Sequence, residues 1–435
     1  MPVERRSIAE KSSMIVARMA YPLSVAATLA FLVSHSRFLE FLAFGDVVRT
    51  ALLFFEIAII ILGISLAIFS GRIVIASASI ITFAAVPFYA YIFGVASGED
   101  PVLSSGGDYF FISIAALFFL VLNGGMGERF LKTLYRMSVV YAVLYILVVI
   151  AISANILSVG AESHIVLDSG GGVDRGLRVT LINSFVIFGT CVATISTFRE
   201  FRIKQLACLF IFCLCLFLSG SRYVSALMCA AIVMFLIFQN SKLTRNLFFL
   251  IFFVGLLFVG YVISAHNFNP FNGFVNEASS HGDVSAWARW KDVDIANKLI
   301  PDHWLFGVGI SNGIDAYRPV SGVPYFYPQD IGLLGVFIMF GIFGFSYYVF
   351  ICFCACFSYQ KLQVQDFSIK AGLGLAGAVM TVFSHLAPVF TANAMPFAAM
   401  YLALFAWRPR RLGNFRRSDE VSRLGTDESV PVVNR

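Results

Sequence analysis

The chain reads as an all-α, polytopic integral membrane protein with about 12 transmembrane helices and one large extramembrane loop. Three observations lead there. Of its 435 residues, 59% are hydrophobic and only 13% are charged, where soluble domains average about a quarter charged residues. Its mean hydropathy is +0.84. Its apolar residues fall in runs close to the ~20 that a helix needs to cross a bilayer.

Candidate spans lie at 15–34, 49–69, 73–96, 109–123, 135–157, 179–197, 206–219, 223–239, 246–265, 329–357, 370–388 and 392–407. The first, fourth, seventh and twelfth are short or interrupted. This divides the chain into an N-terminal segment 1–14, transmembrane helices over 15–265, a long loop 266–328, further transmembrane helices over 329–407, and a basic tail 408–435.

Charge sets the expected orientation, because positive residues accumulate on the cytoplasmic side. Alternate loops carry Arg72, then Arg129, Lys132 and Arg136, then Arg199, Arg202 and Lys204, then Lys242 and Arg245, then Lys361 and Lys370. All share a side with Arg5, Arg6 and Lys11 at the start and with Arg408, Arg410, Arg411, Arg416 and Arg417 at the end. Both termini are therefore expected in the cytoplasm. The segment Met1 to Lys11 is polar and basic, without the pattern of a cleavable signal. A net charge of +6 spread over short loops gives a nucleic-acid partner no basic face to meet.

All eight cysteines sit inside apolar runs, which speaks against a disulfide framework or a thiolate metal site. Glycines Gly332, Gly335, Gly341, Gly344, Gly372, Gly374 and Gly377 fit close helix packing. No internal repeat of the kind common in transporters is visible. Residues 266–328 form the longest connection and hold three of the four tryptophans. A connection of that size on a compact membrane protein is usually functional.

The anomaly is arginine on the outer side. Arg175 and Arg178 precede the sixth span, Arg222 closes the short turn Ser219-Gly220-Ser221-Arg222, and Arg289, Lys291 and Arg318 lie in the long loop. Guanidinium groups near the hydrocarbon are costly unless paired, and their fork matches phosphate oxygens. Each also has a plainer reading: a lone arginine snorkels or pairs with a carboxylate, and Arg289 could stack on Trp287 or Trp290. The glycine run Gly170-Gly171-Gly172 lacks the lysine of a phosphate-binding loop. Histidines such as His303 do not fall at metal-ligand spacing, and no metal or other cofactor is implied. Trp290, Tyr317, Tyr325, Phe326 and Tyr327 offer flat apolar faces of the kind on which sugar rings pack, or a packed loop core.

Several segments together resemble the O-antigen polymerase and ligase superfamily. They are Ser219-Gly220-Ser221-Arg222, Ala288-Arg289-Trp290-Lys291, Leu299-Ile300-Pro301, Leu305-Phe306-Gly307-Val308-Gly309 and Gln329-Asp330-Ile331-Gly332-Leu333-Leu334-Gly335, with Arg175-Gly176 upstream. The resemblance implies a GT-C-like membrane glycosyltransferase of the bacterial inner membrane. It implies that Arg175, Arg222 and Arg289 engage the diphosphate of an undecaprenyl-diphosphate-linked oligosaccharide. A chain-length regulator and a flippase of the same pathway are the implied partners. Ligases of this family carry a histidine shortly before the span that follows the long loop. Here Gly322-Val323-Pro324-Tyr325-Phe326-Tyr327-Pro328 has none, which points to an O-antigen or exopolysaccharide polymerase. The expected catalytic residues are Arg222, Arg289 and Asp330. Arg175, Arg178, Trp290, Lys291, Arg318, Tyr327 and His303 are expected to bind substrate. Asp330, Asp302 or His303 could act as general base. A ligase with another acceptor and a flippase for the same saccharides stay open as alternatives.

Overall fold

A computed structural model describes residues 2–36, 38–41, 44–80, 111–154, 156–157, 181–219, 228, 284–309, 317–323, 326–384, 390 and 394–407. Among these residues there are helices and turns and no strands. In hydrocarbon every backbone N–H and C=O must be satisfied within its own segment, which the α-helix achieves. The helices are α1 (Pro2–His35), α2 (Gly45–Phe69), α3 (Ala115–Asn123), α4 (Gly127–Ser153), α5 (Asn183–Glu200), α6 (Ile203–Leu218), α7 (Val284–His303), α8 (Arg318–Ser321), α9 (Gly332–Phe357), α10 (Phe367–Phe383) and α11 (Met395–Ala406). Residues 73–80 are also helical. The expected spans at 223–239, Met228 apart, and at 246–265 lie outside the described residues, as do residues 81–96 of the third.

Among the described residues, four stretches are long and apolar enough to cross a membrane: Met14–His35, Val47–Phe69, Gly127–Ser153 and Gly332–Lys361. The expected fourth span is shorter than a spanning helix. It consists of a 3₁₀ turn, Phe111–Ile114, running into the nine-residue α3. That helix is enclosed on every side, with Ala115 to Leu122 all buried. Helix α5 is buried over Ser184–Ile195, and α11 over most of its length. Around this centre α2, α4 and α6 turn Phe54, Leu144 and Phe210 outward. An apolar exterior of that extent is what lipid requires and water penalises.

Small residues let the central helices approach. A Cβ on Gly372 of α10 would lie 2.5 Å from Val192 Cγ2 on α5, and one on Gly377 would lie 2.3 Å from the Ala355 carbonyl of α9. Polar groups inside the bundle find partners. Ser34 Oγ donates to the buried Glu56 carboxylate at 3.0 Å. Tyr141 Oη accepts the Ile182 N–H at 2.9 Å, tying the start of α5 to α4. Tyr348 Oη donates to Ser384 Oγ at 2.7 Å and accepts the Phe390 N–H at 3.2 Å.

Among the described residues, the basic loops around Arg72, Arg129, Arg199 and Lys361 converge at one end of the bundle. The Gln365 N–H donates to Glu128 at 2.8 Å, and Lys132 lies 4.0 Å from Asp366. Arg199 lies over Phe367, Arg72 over Phe119 and Arg129 over Tyr21, at 5.5, 5.7 and 5.1 Å from the ring centres. Lys361 reaches the Phe405 carbonyl and ring at the foot of α11. Loops that the charge pattern assigns to one side are thus in contact.

Candidate active site

At the opposite end of α9 from Lys361, the long loop builds a small unit of its own. Helix α7 lies against the first turns of α9 and against the 3₁₀ turn Pro328–Asp330 that precedes it. Ala296, Val308, Tyr317, Phe326, Ile331, Ile338 and Met339 form a second apolar core there, separate from that of the bundle. Tyr317 Oη donates to the Gly309 carbonyl at 3.1 Å, and the Tyr317 and Phe326 rings meet edge to face at 5.9 Å.

Residues three apart on a helix share a face, so α7 presents Arg289 and Asp292 together. Asp292 is only 4% exposed. Its carboxylate accepts the backbone N–H of Tyr327 and lies within electrostatic reach of Asp330 and Arg289. Burial and the neighbouring Asp330 charge push the Asp292 carboxyl up to about 6, against the pull of the Tyr327 N–H and Arg289. Asp330 is open on one side yet hemmed in by protein. The lost hydration raises its carboxyl above the ordinary range, and the Arg289 guanidinium opposes that. Arg289, Asp292, Tyr327 and Asp330 therefore make one charged cluster at the mouth of α9.

The other expected site residues are distributed differently. Trp290 is 40% exposed and Lys291 is exposed, each turned off the face that carries Arg289 and Asp292. Arg318 is exposed on α8, and no contact places it with Asp330. His303 closes α7, so it lies about 21 Å along the helix axis from Arg289 at 1.5 Å per residue. The two cannot hold the same diphosphate, and Asp302 beside His303 is equally remote. Arg175, Arg178 and Arg222 lie outside the described residues. Asp292 is the member that sequence reasoning missed. The available signal was its i, i+3 spacing from Arg289, which is meaningful only once 284–303 is read as a helix.

Two of the glycines expected to serve helix packing instead receive the loop. A Cβ on Gly335 would fall 1.6 Å from the Pro328 carbonyl oxygen, and one on Gly341 would fall 2.2 Å from that of Leu305. Gly341 also interrupts α9, with φ 63° and ψ −166°, a conformation essentially confined to glycine.

The family model for O-antigen ligase matches residues 207–349. That stretch contains α7, the Pro328–Asp330 turn and the opening of α9, and hence the whole of the charged cluster. The match supports membership of the O-antigen polymerase and ligase superfamily. No curated protein and no solved structure matches it. That family implies an enzyme of the glycosyl-transfer type acting on lipid-linked saccharides.

Proposed function

We propose that this superfamily member is a polysaccharide polymerase. It would join undecaprenyl-diphosphate-linked repeat units at the periplasmic face of the bacterial inner membrane, with both termini in the cytoplasm. The observation that carries the reading is the meeting of Arg289, Asp292 and Asp330 where the long loop joins α9.

The growing chain is held through its diphosphate by Arg289, together with Arg175, Arg178 and Arg222 from the other outer loops. A hydroxyl oxygen of the incoming repeat unit attacks the anomeric carbon from the face opposite the diphosphate. The new carbon–oxygen bond forms as the bond to the diphosphate oxygen breaks, and configuration inverts. The hydroxyl proton passes to Asp330. Charge growing on the departing diphosphate is met by guanidinium groups already in place, so the stabilisation is largest in the transition state. These cations supply the neutralisation for which other transferases use a metal ion. Asp292 does not face substrate; held by the Tyr327 N–H, it fixes α7 against the turn that carries Asp330. A chain-length regulator and a flippase of the same pathway are the expected partners.

The ligase reading draws on the description of the matching family model. Against it stands the stretch Gly322-Val323-Pro324-Tyr325-Phe326-Tyr327-Pro328 before α9, which holds no histidine where a ligase would place one.

The test is polysaccharide chain length on gels, in cells deleted for the gene and complemented with wild type, Arg222→Ala, Arg289→Ala or Asp330→Asn. Membrane levels of each variant are measured in parallel. Single-repeat products from well-expressed variants support polymerisation through these residues. Full-length polymer from all three variants would overturn the assignment. Long polymer left unattached in the deletion strain would identify a ligase.

A further inference from the structure

Helix α9 is longer than a membrane requires. Its 26 residues span about 39 Å, whereas a hydrocarbon core is ~30 Å thick and needs about 20 residues. Counting about 20 residues back from Lys361, in the basic loop, reaches Gly341. The break in α9 therefore falls where hydrocarbon gives way to the interface on the side of the long loop. Broken backbone at such a depth is tolerated only if other protein groups satisfy it. Here the loop does so. Val308 N–H donates to the Ile338 carbonyl at 2.7 Å, Gly309 N–H donates to the Met339 carbonyl at 2.9 Å, and the Trp304 carbonyl accepts the Ile342 N–H at 2.8 Å.

Helix α7 runs beside α9 down to this level. Asp292 lies by Tyr327 and Asp330 near the top, and Trp304, just past the end of α7, meets Ile342 near the bottom. The body of α7 is polar, with Lys291, Asp294 and Lys298 exposed. Past its end the surface changes to aromatic: Trp304 is 53% exposed, Phe306 60% and Phe343 62%. Phe306 stacks on Phe343 with ring centres 5.8 Å apart. Phe343 belongs to a membrane-spanning stretch, so its outward face meets lipid, and Phe306 shares its depth.

We propose that the turn Trp304–Gly309 is a membrane anchor, inserted into the lipid interface with Trp304, Phe306 and Phe343 as one lipid-facing aromatic surface. Continuity with the span selects lipid over a protein partner, and tryptophan favours the boundary between headgroups and acyl chains. The anchor pins the lower end of α7, and so fixes the height of Arg289 above the bilayer. It also gives Trp304 a role apart from sugar binding.

The experiment uses the full-length protein reconstituted in phosphatidylcholine brominated near the headgroup, brominated deep in the chains, or unbrominated. In a variant with Trp287, Trp290 and Trp407 replaced by Phe, Trp304 should emit in the blue. Headgroup-proximal bromine should remove the larger part of that emission, deep bromine less, and aqueous iodide little. Wild type compared with Trp304→Phe gives the same answer without the triple replacement: the bromolipid-quenched share of emission should drop in the variant. Red-shifted Trp304 emission quenched by iodide and untouched by bromolipid would overturn the proposal. Bromolipid quenching that disappears as protein density rises would replace lipid with a second copy of the chain, and would overturn it equally.

Discussion

The backbone N–H of Ile342 donates to the carbonyl oxygen of Trp304 across 2.8 Å. In an unbroken helix that N–H would bond four residues back within its own segment, to the Ile338 carbonyl that the Val308 N–H occupies here. Span and loop are thereby joined through the main chain, and the junction depends on Gly341.

Gly341→Ala should loosen this junction. The new Cβ would meet the Leu305 carbonyl at 2.2 Å, on a backbone with φ of 63°. Strain of that kind costs about 1–3 kcal/mol before the clash is added. Gly125→Ala is the comparison, since φ there is +74° with nothing within 4 Å, and its cost should stay near 1–2 kcal/mol. Thermal unfolding of the detergent-purified protein should show a clearly lower midpoint for Gly341→Ala. Equal midpoints would contradict the described docking.

Asp292 should make stability depend on pH. Its carboxyl is held at about 6 in the folded chain, above the ~3.9 of an unfolded aspartate. The folded state therefore binds the proton more tightly. The resulting stability is fully present below about pH 4 and is lost as pH rises through about 6. Asp292→Asn keeps an acceptor for the Tyr327 N–H and does not titrate. At neutral pH it should be more stable than wild type by about 1–3 kcal/mol, with the gap closing toward pH 4. A gap independent of pH between about 4 and 7 would show that Asp292 does not titrate there.

Arg289 separates charge from geometry. If its guanidinium stabilises a departing diphosphate, Arg289→Ala should lower turnover of a lipid-linked saccharide by about 10² to 10³. Arg289→Lys, a point charge without the fork, should recover part of the loss. Circular dichroism on each variant guards against misfolding. Wild-type turnover in Arg289→Ala would make the arginine structural.

Tyr348→Phe tests the packing of α9 against the end of α10. Without the hydroxyl, the Phe390 N–H loses its acceptor in a buried site, at a cost of about 1–3 kcal/mol. A midpoint unchanged in thermal unfolding would show that this N–H has another acceptor.

Much of the bundle was legible in the sequence because length and charge are read directly from it. The apolar runs around Val47–Phe69 and Gly332–Phe357 predict their helices to within a few residues. The parity of Arg72, Arg129, Arg199 and Lys361 predicts loops that meet at one end. The expected short span 109–123 corresponds to the helical stretch Phe111–Asn123, but its enclosure was not legible, because a buried apolar stretch and a lipid-facing one look alike in hydropathy. Gly335 and Gly341 were legible as sites of close approach, but not as to what approaches. A glycine that admits a helix and one that admits a loop carbonyl are identical in sequence. Arg289 stood out as a cation in an outer loop, and Asp330 as a carboxylate at the entrance of an apolar span. Asp292 did not, since Asp294 and Asp302 nearby look the same until α7 turns one inward and the others out.

The exchange of main-chain partners between Trp304–Gly309 and Ile338–Ile342 also limits how this protein can be recombined. A hybrid cut between loop and span would leave each half without the other's complementary carbonyls and amides. The natural unit of transplantation runs from α7 past Ile342 in a single block, so acceptor preferences carried by the loop should be inherited together with the part of α9 from Gly332 to Ile342.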